Sequence, residues 1–439
     1  MRPRSGDGTG RARAASARAG RYNSPASGDD PDADRLARPS RSAPGGVAAA
    51  GTVPYWLAER RAPLPGRGAP RGAAVDVAVV GGGVTGCSCA LALAERGLRV
   101  RLLEAREVAG GASGRNGGFA LRGAALPYDR ARVALGAERA RLLWRLSERA
   151  LDRLAELAGD ACRRVGSLRL AADDAEAAEL AAEEAALRED GFAVERLDPL
   201  PPPLERLYAA GLVHPGDAAI HPARWVRRLA ARAAEAGAEI VEGRRVATVD
   251  PERLSAGAVV VAVDGLGGEL LPELAAVVAP RRGQVLVTEP LRRRLYERPH
   301  YARRGYDYWQ QLPDGRLVAG GRRDASFETE ATAVEETTPL VQELLEDLVA
   351  ALVGGRPRVT HRWAGIWGET PDLLPLAGRA PGREGVWVAG GYSGHGNVLG
   401  LACGELVARA VAGDAPPELA LFDPARFVRS ERDAGELPE

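Results

Sequence analysis

A glycine-rich turn directly after an apolar run is the segment whose residue types and spacing most clearly suit chemistry. The stretch VVGGGVTG places glycines at Gly81, Gly83 and Gly86. Without side chains, the backbone there can approach a phosphate closely, and a helix that begins at this turn would direct free N–H groups at it. Glu104 closes the next apolar segment, where a carboxylate can accept hydrogen bonds from a ribose diol. Together these residues predict a site for an adenine dinucleotide, and they fit FAD and NAD equally well, since both contain an ADP half.

Strand and helix patterns on both sides of the turn would hold it in place. Residues 75–80 predict a buried strand, 84–96 a helix that Gly97 ends, and 98–103 a second strand parallel to the first. The segment GGASGRNGG at 110–118 contains too much glycine for a helix or a strand, so we expect a loop. Similar βαβ patterns recur at 206–280 and 360–412. In the first of these, the stretch through Val246 is expected to be a strand after a helix, a strand and a turn.

A different pattern fills the intervals between these segments. Residues 283–290, 306–312 and 316–321 alternate in polarity and are joined by turns, which is typical of an antiparallel sheet. Helices are expected at about 131–159, 172–190 and 333–353. The sequence therefore predicts two domains, between which the chain crosses several times.

The composition argues against several classes of function. The 439 residues include 59 basic and 59 acidic side chains, for a formal net charge of zero, so charge gives no support for binding to nucleic acid or to an anionic membrane. The four cysteines lack zinc spacing, so no metal is expected, and they suit a reducing compartment. The glycines of the turn interrupt the one long apolar window, so we expect no membrane span and a cytoplasmic protein.

Three stretches resemble the FAD-dependent amine and amino-acid oxidoreductases of the D-amino acid oxidase type. They are PYW from Pro54, LLEAREVAGGASGRNGG from Leu102 and GVWVAGGYSGHGN from Gly385. Within that family, LAERG, GRNGG and GYSGHG are most similar to the gamma-glutamylputrescine oxidoreductase-like proteins. The resemblance covers about residues 52–415. It implies an α/β fold in which a Rossmann-like, glutathione-reductase-like FAD-binding domain is interleaved with an antiparallel-sheet substrate domain.

The domain boundaries follow from the change of pattern along the chain. Residues 1–50 contain almost no large apolar side chain and are expected to be a disordered tail. The other expected segments are an N-terminal arm at 51–72, an FAD-binding domain at 73–130, 206–280 and 360–415, a substrate domain at 131–205 and 281–359, and a C-terminal tail at 416–439.

The resemblance also implies which residues contact the cofactor. The glycine turn would meet the pyrophosphate, Glu104 the adenosine ribose, and the backbone of Val246 the adenine. A helix beginning near Asn397 would direct its N-terminus at the pyrimidine edge of the flavin. Cofactor contacts are implied for Gly81, Gly83, Val84, Thr85, Gly86, Glu104, Ala105, Ala112, Ser113, Arg115, Asn116, Gly117, Gly118, Val246, Ala262, Gly265, Gly391, Tyr392, Ser393, Gly394, His395, Gly396 and Asn397.

The candidates for catalysis are His395, Tyr308 and Trp309. His395 could adjust the charge near the flavin, or it could bond the backbone of its own loop. Alternation along a strand places Tyr308 with Tyr306 on one face of the sheet and Trp309 with Gln311 on the other. The aromatic residues of this strand could line a substrate pocket or pack in a core.

Other reactive side chains have a competing structural interpretation. Arg322 and Arg323 could receive a substrate carboxylate, or they could lie in solvent. Trp363 and Trp367 suit packing. Cys403 lies inside the predicted C-terminal helix, so non-covalent FAD is expected.

The implied reaction is oxidation of the C–N bond of an amine or amino acid to an imine by hydride transfer to FAD. The alternatives are a flavin-dependent dehydrogenase of a hydroxy acid or other small alcohol, and a non-catalytic flavoprotein. The electron acceptor would be O₂ or another oxidant. Because the chain contains no lysine to place beside the flavin, we expect a dehydrogenase or a slow oxidase.

Overall fold

The computed structural model describes residues 53–61, 63–64 and 73–427. Its strands are β1 (Val75–Val80), β2 (Val100–Leu103), β3 (Phe119–Ala120), β4 (Cys162–Arg163), β5 (Ser167–Ala171), β6 (Glu195–Leu197), β7 (Ala210–His214), β8 (Ala218–Ile220), β9 (Glu239–Val241), β10 (Ala256–Val261), β11 (Ala279–Thr288), β12 (His300–Ala302), β13 (Asp307–Gln311), β14 (Leu317–Gly321), β15 (Val359–Glu369), β16 (Leu376–Arg379) and β17 (Val386–Gly390). Its α-helices are α1 (Val84–Ala94), α2 (Tyr128–Leu135), α3 (Ala137–Ala158), α4 (Asp174–Glu189), α5 (Pro222–Glu235), α6 (Gly267–Leu270), α7 (Phe327–Glu330), α8 (Pro339–Val353) and α9 (Gly396–Val411).

The glycine turn follows a central strand of a six-stranded sheet, whose order is β16-β17-β10-β1-β2-β9. All neighbours are parallel except β16, which runs antiparallel to β17. The valine-rich strands β1 and β10 are buried at their carboxyl-terminal halves, as expected for strands that helices cover on both faces. Every residue of α1 is buried, and this helix packs against α5 and α9. This sheet brings the ends of β1, β2, β10 and β17 to one edge.

An eight-stranded sheet lies beside the first, in the order β15-β11-β14-β13-β12-β5-β7-β6. One face packs against α8, and the core there includes Leu286, Trp309 and Leu345. Alternation sends the neighbouring residue of each strand to the other face, where Tyr308 stands in register with Gly320 on β14. This second face carries the loop at 110–118, so the sheet forms a wall of the candidate site.

The two expected sheets are therefore present, although some boundaries differ. The helix expected at 131–159 is two helices, because Gly136 adopts φ +82° between α2 and α3. The helix expected from 333 begins at Pro339, whose fixed φ suits a first helical position. The stretch around Val246 is irregular rather than a strand, since Gly243 and Arg244 bond to carbonyls beyond the end of β2.

The assignment of segments to the two domains also needs correction. Strand β15 lies in the eight-stranded sheet, paired along its length with β11, although we assigned residues from 360 to the FAD-binding domain. Strand β7 also lies in the eight-stranded sheet, although the sequence analysis assigns residues 206–280 to the FAD-binding domain. Both errors have the same cause. A strand pairs with partners that are distant in sequence, and the local sequence pattern does not identify them.

The ends of the chain are described in part. The described arm contains a short 3-10 turn, Tyr55–Leu57, in which Trp56 is buried. Residues 416–427, expected to begin a tail, pack on the fold, and Phe422 is fully buried there. The tail expected at 1–50 lies outside the described residues. Among the described helices, none combines the length and the apolar character needed to cross a bilayer.

Four histidines make the stability of the fold depend on pH. Burial lowers the pKa of His214, His221 and His395 to about 4 and that of His300 to about 3. Below an ordinary pKa of about 6.5 the unfolded chain therefore binds more protons than the native chain, so the free energy of unfolding falls as pH decreases from about 6.5 to 4.

In His300→Gln the free energy of unfolding should fall less steeply as pH decreases, because each such histidine contributes at most about 1.4 kcal/mol per pH unit to that fall. His300 suits the test because it stacks on Trp309 in the core under α8. Urea unfolding of both proteins at several pH values between about 4.5 and 7.5 would measure the effect. Parallel pH curves for the two proteins would contradict it.

Candidate functional site

The glycine turn is so tightly packed that side chains would not fit. Gly81 has φ +112°, a conformation that favours glycine. A Cβ atom on Gly86 would lie 1.9 Å from the carbonyl oxygen of Gly81, and one on Gly83 would lie 2.7 Å from the Ser113 hydroxyl. Helix α1 begins immediately after Gly83, which provides no side-chain cap. The N-terminus of α1 is thus a surface of backbone groups that suits a pyrophosphate.

The acidic residue at the end of β2 is held in place by the same turn. Glu104 accepts a hydrogen bond from the Gly82 N–H at 2.6 Å and another from the Arg106 N–H at 2.8 Å. The carboxylate is therefore oriented beside the N-terminus of α1. This position suits hydrogen bonds to a ribose diol, as the sequence predicts.

The glycine-rich loop at 110–118 is fixed by its own side chains. The Asn116 side chain donates to the Ala112 and Ser113 carbonyls and accepts from the Gly118 N–H. Asn397, in the first turn of α9, donates to the Asn116 side chain at 3.2 Å. The loop is thereby tied to the start of α9.

Three aromatic and basic side chains attach the loop to the surrounding elements. Arg115 donates to the Ala364 carbonyl on β15 at 3.1 Å. Trp363 donates to the Arg115 carbonyl and Trp56 to the Asn116 carbonyl, each at 2.8 Å. The predicted packing role of Trp363 therefore matches its position in the structure, and the arm that contains Trp56 closes one side of the loop.

The wall opposite the loop contains Tyr308 and Gln310. Gln310 donates to the Gly117 and Gly118 carbonyls at 2.7 and 2.9 Å. A Cβ atom on Gly117 would lie 2.9 Å from the Tyr308 ring, so the two are in close contact. Burial raises the pKa of Tyr308 to about 12, which keeps its hydroxyl protonated. Tyr308 thus stands at the loop for which the family resemblance implies contacts with the cofactor.

The loop after β17 is organised by a residue that the sequence analysis passed over. Asp264, at the end of β10, accepts hydrogen bonds from the N–H groups of Gly391 at 2.8 Å, Gly368 at 3.1 Å and Tyr392 at 3.4 Å. It does so with φ +49°, an uncommon backbone conformation for a residue with a side chain. Burial raises the pKa of Asp264, and these N–H donors oppose that shift. Its carboxylate therefore joins three segments.

Two neighbours of Asp264 were expected to contact the cofactor. Ala262 bonds the end of β1, with its N–H donating to the Val80 carbonyl. Gly265 lies against β15, where a Cβ atom would be 2.6 Å from the Trp367 carbonyl oxygen. The only sequence signal for Asp264 was an acidic residue at the end of an otherwise apolar buried strand.

Helix α9 approaches α1 closely enough to align both N-termini with the site. The Tyr392 and Thr85 hydroxyls are 2.8 Å apart. A Cβ atom on Gly400 would lie 2.9 Å from the Thr85 hydroxyl, and one on Gly404 would lie 2.5 Å from the Thr85 carbonyl oxygen. These two glycines permit the close approach of the helices.

His395 immediately precedes α9 and is half-buried. Its pKa, lowered to about 4 by burial, leaves the ring neutral near pH 7. Its Nδ1 atom is buried without a hydrogen-bond partner among the described residues. A neutral ring with a free nitrogen can donate or accept a hydrogen bond toward a bound molecule.

The structure separates some of the other candidates from this site. Trp309 is fully buried in the core under α8, on the face opposite Tyr308, because consecutive residues of a strand point to opposite faces. Cys403 is fully buried within α9, and burial raises the pKa of its thiol. Val246 is half-buried, and its side chain packs against the core beside β10, so the expected contact of its backbone with the adenine stays a prediction. We retain no catalytic role for Trp309.

The two arginines after β14 are engaged with neighbouring side chains. Arg322 pairs with Asp307 at 2.8 Å. Arg323 lies over the rings of Tyr306, Phe327 and Trp367, at 4.8, 5.4 and 5.3 Å. Neither arginine lies free in solvent, which was one of the two alternatives that the sequence left open for them.

The residues present fit FAD. The cradle formed by the glycine turn and the first turn of α1 would hold the pyrophosphate, Glu104 the ribose, and the loops at 110–118 and 391–396 the flavin. In the described part of the chain, no group of three His, Cys, Asp or Glu side chains is placed to hold a metal ion. The parallel sheet, the glycine turn that suits a pyrophosphate and the wall of antiparallel strands are together typical of flavoprotein oxidoreductases.

Comparison with known proteins identifies the family. Residues 76–410 match the family described as DAO, FAD dependent oxidoreductase, and the chain belongs to that family. It is 28% identical to the probable oxidoreductase OrdL of Rhizobium meliloti, over 77% of this chain and 83% of that protein. It is 30% identical to gamma-glutamylputrescine oxidoreductase of Escherichia coli, over 77% of this chain and 84% of that protein. The structure is similar to that of glycine oxidase from Geobacillus kaustophilus, with a TM-score of 0.65, 26% identity and coverage of 80% of this chain and 97% of that one. The protein is an FAD-dependent oxidoreductase.

Proposed function

We propose that the protein oxidises the carbon–nitrogen bond of an amine or an amino acid. The observation that carries the proposal is similarity, over most of the chain, to relatives whose names specify gamma-glutamylputrescine and glycine, which are both primary amines. Bound FAD would accept a hydride from the carbon beside the nitrogen, leaving an imine that water hydrolyses.

The residues of the site would position the amine and exclude water. Tyr308 and Phe119 pack edge to face, with ring centroids 5.9 Å apart, and form an apolar surface beside the 110–118 loop. An amine held against this surface in its neutral form would present its C–H bond to the flavin. We propose that His395, neutral near pH 7, bonds the amine or the flavin edge through its free Nδ1 atom.

Product analysis would test this reaction class. The purified holoenzyme would be incubated with a redox dye and, in turn, gamma-glutamylputrescine, sarcosine, proline, glycine and several D-amino acids. Lactate and glycerol phosphate would serve as alcohol controls. We expect dye reduction together with an aldehyde or keto acid from at least one amine. Dye reduction by the alcohols alone would overturn the proposal in favour of a hydroxy-acid or alcohol dehydrogenase.

We expect O₂ to be a poor electron acceptor. The chain contains no lysine, and burial lowers the pKa of Arg115, the arginine of the flavin-side loop, whose Nη1 and Nε atoms donate to backbone carbonyls. Negative charge that develops on O₂ as it is reduced would therefore receive little stabilisation from a mobile cation. Reduced enzyme mixed with air-saturated buffer should reoxidise on the order of tenfold more slowly than with an excess of dye, which corresponds to about 1.4 kcal/mol. Reoxidation by air as fast as by the dye would contradict this expectation.

We also propose a cytoplasmic location. All four cysteines are free, and three of them are buried as thiols, which suits a reducing compartment. Fractionation of cells that produce the protein would test the proposal, and recovery from an oxidising compartment would overturn it.

A further inference from the structure

A row of polar side chains crosses the side of the eight-stranded sheet that contacts the 110–118 loop. Tyr308 on β13 stands in register with Tyr301 on β12, and Tyr301 with Arg169 on β5. Residues in register on neighbouring strands point to the same face. Arg169 therefore shares a face with Tyr308, two strands away from it.

Arg169 is an ion-paired residue in a nearly enclosed position. It pairs with Glu183 on α4, and the two side chains are only 11% and 6% exposed. Burial lowers the pKa of Arg169, but Glu183 and its neighbours more than offset this and keep the guanidinium charged. Glu183 is fixed in turn, since its Oε1 atom also accepts the Tyr128 N–H at 3.3 Å.

The guanidinium retains hydrogen-bonding capacity toward the site. Among the described residues, its side chain donates a hydrogen bond from Nη1 to Glu183. A guanidinium carries five N–H donors, so Nε and Nη2 can serve a second acceptor. Its charge also reaches the site, because Arg169 lowers the pKa of His395. Tyr301, whose pKa burial raises, keeps a protonated hydroxyl beside it.

Other arginines near this wall are committed to different contacts. Arg303 and Arg322 pair with Asp307. Arg323 lies among three aromatic rings and beside Glu369 at 3.9 Å. Arg115 bonds two backbone carbonyls. Arg122 also lies against this face, and its guanidinium bonds Glu148 and the Ala193 carbonyl. Arg169 is thus an arginine of this face, in register with Tyr301, whose remaining donors suit an acidic ligand.

We propose that Arg169 and Tyr301 bind a carboxylate at the far end of the substrate, and that Glu183 positions Arg169 for this role. The inference rests on the proposed amine oxidation. Two strand spacings place Arg169 about 10 Å from Tyr308 at the backbone. In a simple α-amino acid the carboxylate is attached to the oxidised carbon and cannot span much of that distance. Tyr301 stands between Tyr308 and Arg169 in the same row, and Glu183 on α4 holds the guanidinium at the Arg169 end. The geometry therefore favours an extended amine whose carboxylate lies several bonds from the oxidised carbon.

A chain-length series measures this specificity directly. The holoenzyme would be assayed with ω-amino acids from glycine to 6-aminohexanoate, and with the n-alkylamines of matching length that lack the carboxylate. We expect KM to fall as the ω-amino acid lengthens, and the longer ones to have lower KM values than their matched alkylamines. Equal KM values for each matched pair would overturn the proposal.

Three substitutions locate the effect. Arg169→Gln should raise KM for the longer ω-amino acids by about tenfold or more, because a charge-assisted hydrogen bond is lost. The KM for alkylamines should change little. Arg169→Lys should restore part of the difference, and Tyr301→Phe should raise the same KM values by a smaller factor. If Arg169→Gln does not fold, the Lys and Phe variants still carry the test.

Arg282→Gln is the matched control. Arg282 pairs with Glu330 at 2.7 Å, with exposures of 6% and 2%, on the opposite face of the same sheet. It should lose comparable or greater stability without any selective change in KM. Parallel KM changes for acids and alkylamines in Arg169→Gln would indicate a structural role and overturn the inference. Failure of the wild type to oxidise any amine would overturn the proposed function itself, and that result is distinct from oxidation of alkylamines without preference for the acids.

Discussion

Gly86→Ala is expected to weaken FAD binding strongly while leaving a folded protein. The added Cβ atom would lie 1.9 Å from the Gly81 carbonyl oxygen, a contact between two backbone segments that no side-chain rotation can relieve. Helix α1 must therefore move away from β1, and its first N–H groups leave the position that suits a pyrophosphate. We expect the Kd for FAD to rise about 100-fold or more, which corresponds to about 2.7 kcal/mol.

Titration of the apoprotein with FAD, followed by flavin fluorescence, would measure this loss. Gly355→Ala is the matched control, because nothing lies within 4 Å of the Cβ position at this exposed glycine. Wild-type affinity for FAD in the Gly86 variant would show that this turn does not hold the cofactor.

Asp264→Ala should have the second largest effect. The substitution removes the acceptor shared by the N–H groups of Gly368, Gly391 and Tyr392, all of which are buried residues. A buried donor left without a partner costs about 1–3 kcal/mol. We expect a total loss of about 3 kcal/mol or more in the free energy of unfolding, together with weaker FAD binding, since the loop at 391–396 loses its attachment.

Asn at position 264 should be intermediate. Its carbonyl can still accept one N–H group, but its amide would face another donor, while its backbone tolerates the positive φ. Urea unfolding of the apoproteins and FAD titration would rank the wild type, Asp264→Asn and Asp264→Ala. Asp250→Ala, at an exposed turn where the carboxylate accepts the Glu252 N–H, should cost below about 1 kcal/mol. Equal losses for Asp250→Ala and Asp264→Ala would contradict the proposed role of Asp264.

The parts of the site that are local in sequence could be predicted from the sequence. The turn at Gly81–Gly86 and Glu104 belong to one strand–helix–strand unit, so their spacing alone indicates where they meet. The loop at 110–118 was also recognisable, because its glycine content excludes regular structure. The structure contains the expected strand–helix–strand unit and the expected loop, and the contacts of both with the cofactor stay predictions.

The parts that depend on distant pairing could not be read in this way. Strand β15 joins the eight-stranded sheet through β11, far from it in sequence, and no local pattern specifies that partner. Asp264 acquires its role only when the segments containing Gly368 and Gly391 meet it. The alternation around Trp309 predicted two faces correctly, but which face met the helix and which met the loop depended on the packing of α8.

The most direct test of the account is anaerobic reduction of the bound flavin by an amine. The yellow holoenzyme would be mixed without oxygen with each amine of the panel, while the visible flavin absorbance and the carbonyl product are followed. We expect at least one amine to bleach the flavin completely and to yield one carbonyl product per flavin reduced, and we expect lactate and glycerol phosphate to leave the flavin oxidised. A flavin that stays oxidised with every amine, or that is bleached by an alcohol alone, would contradict this expectation.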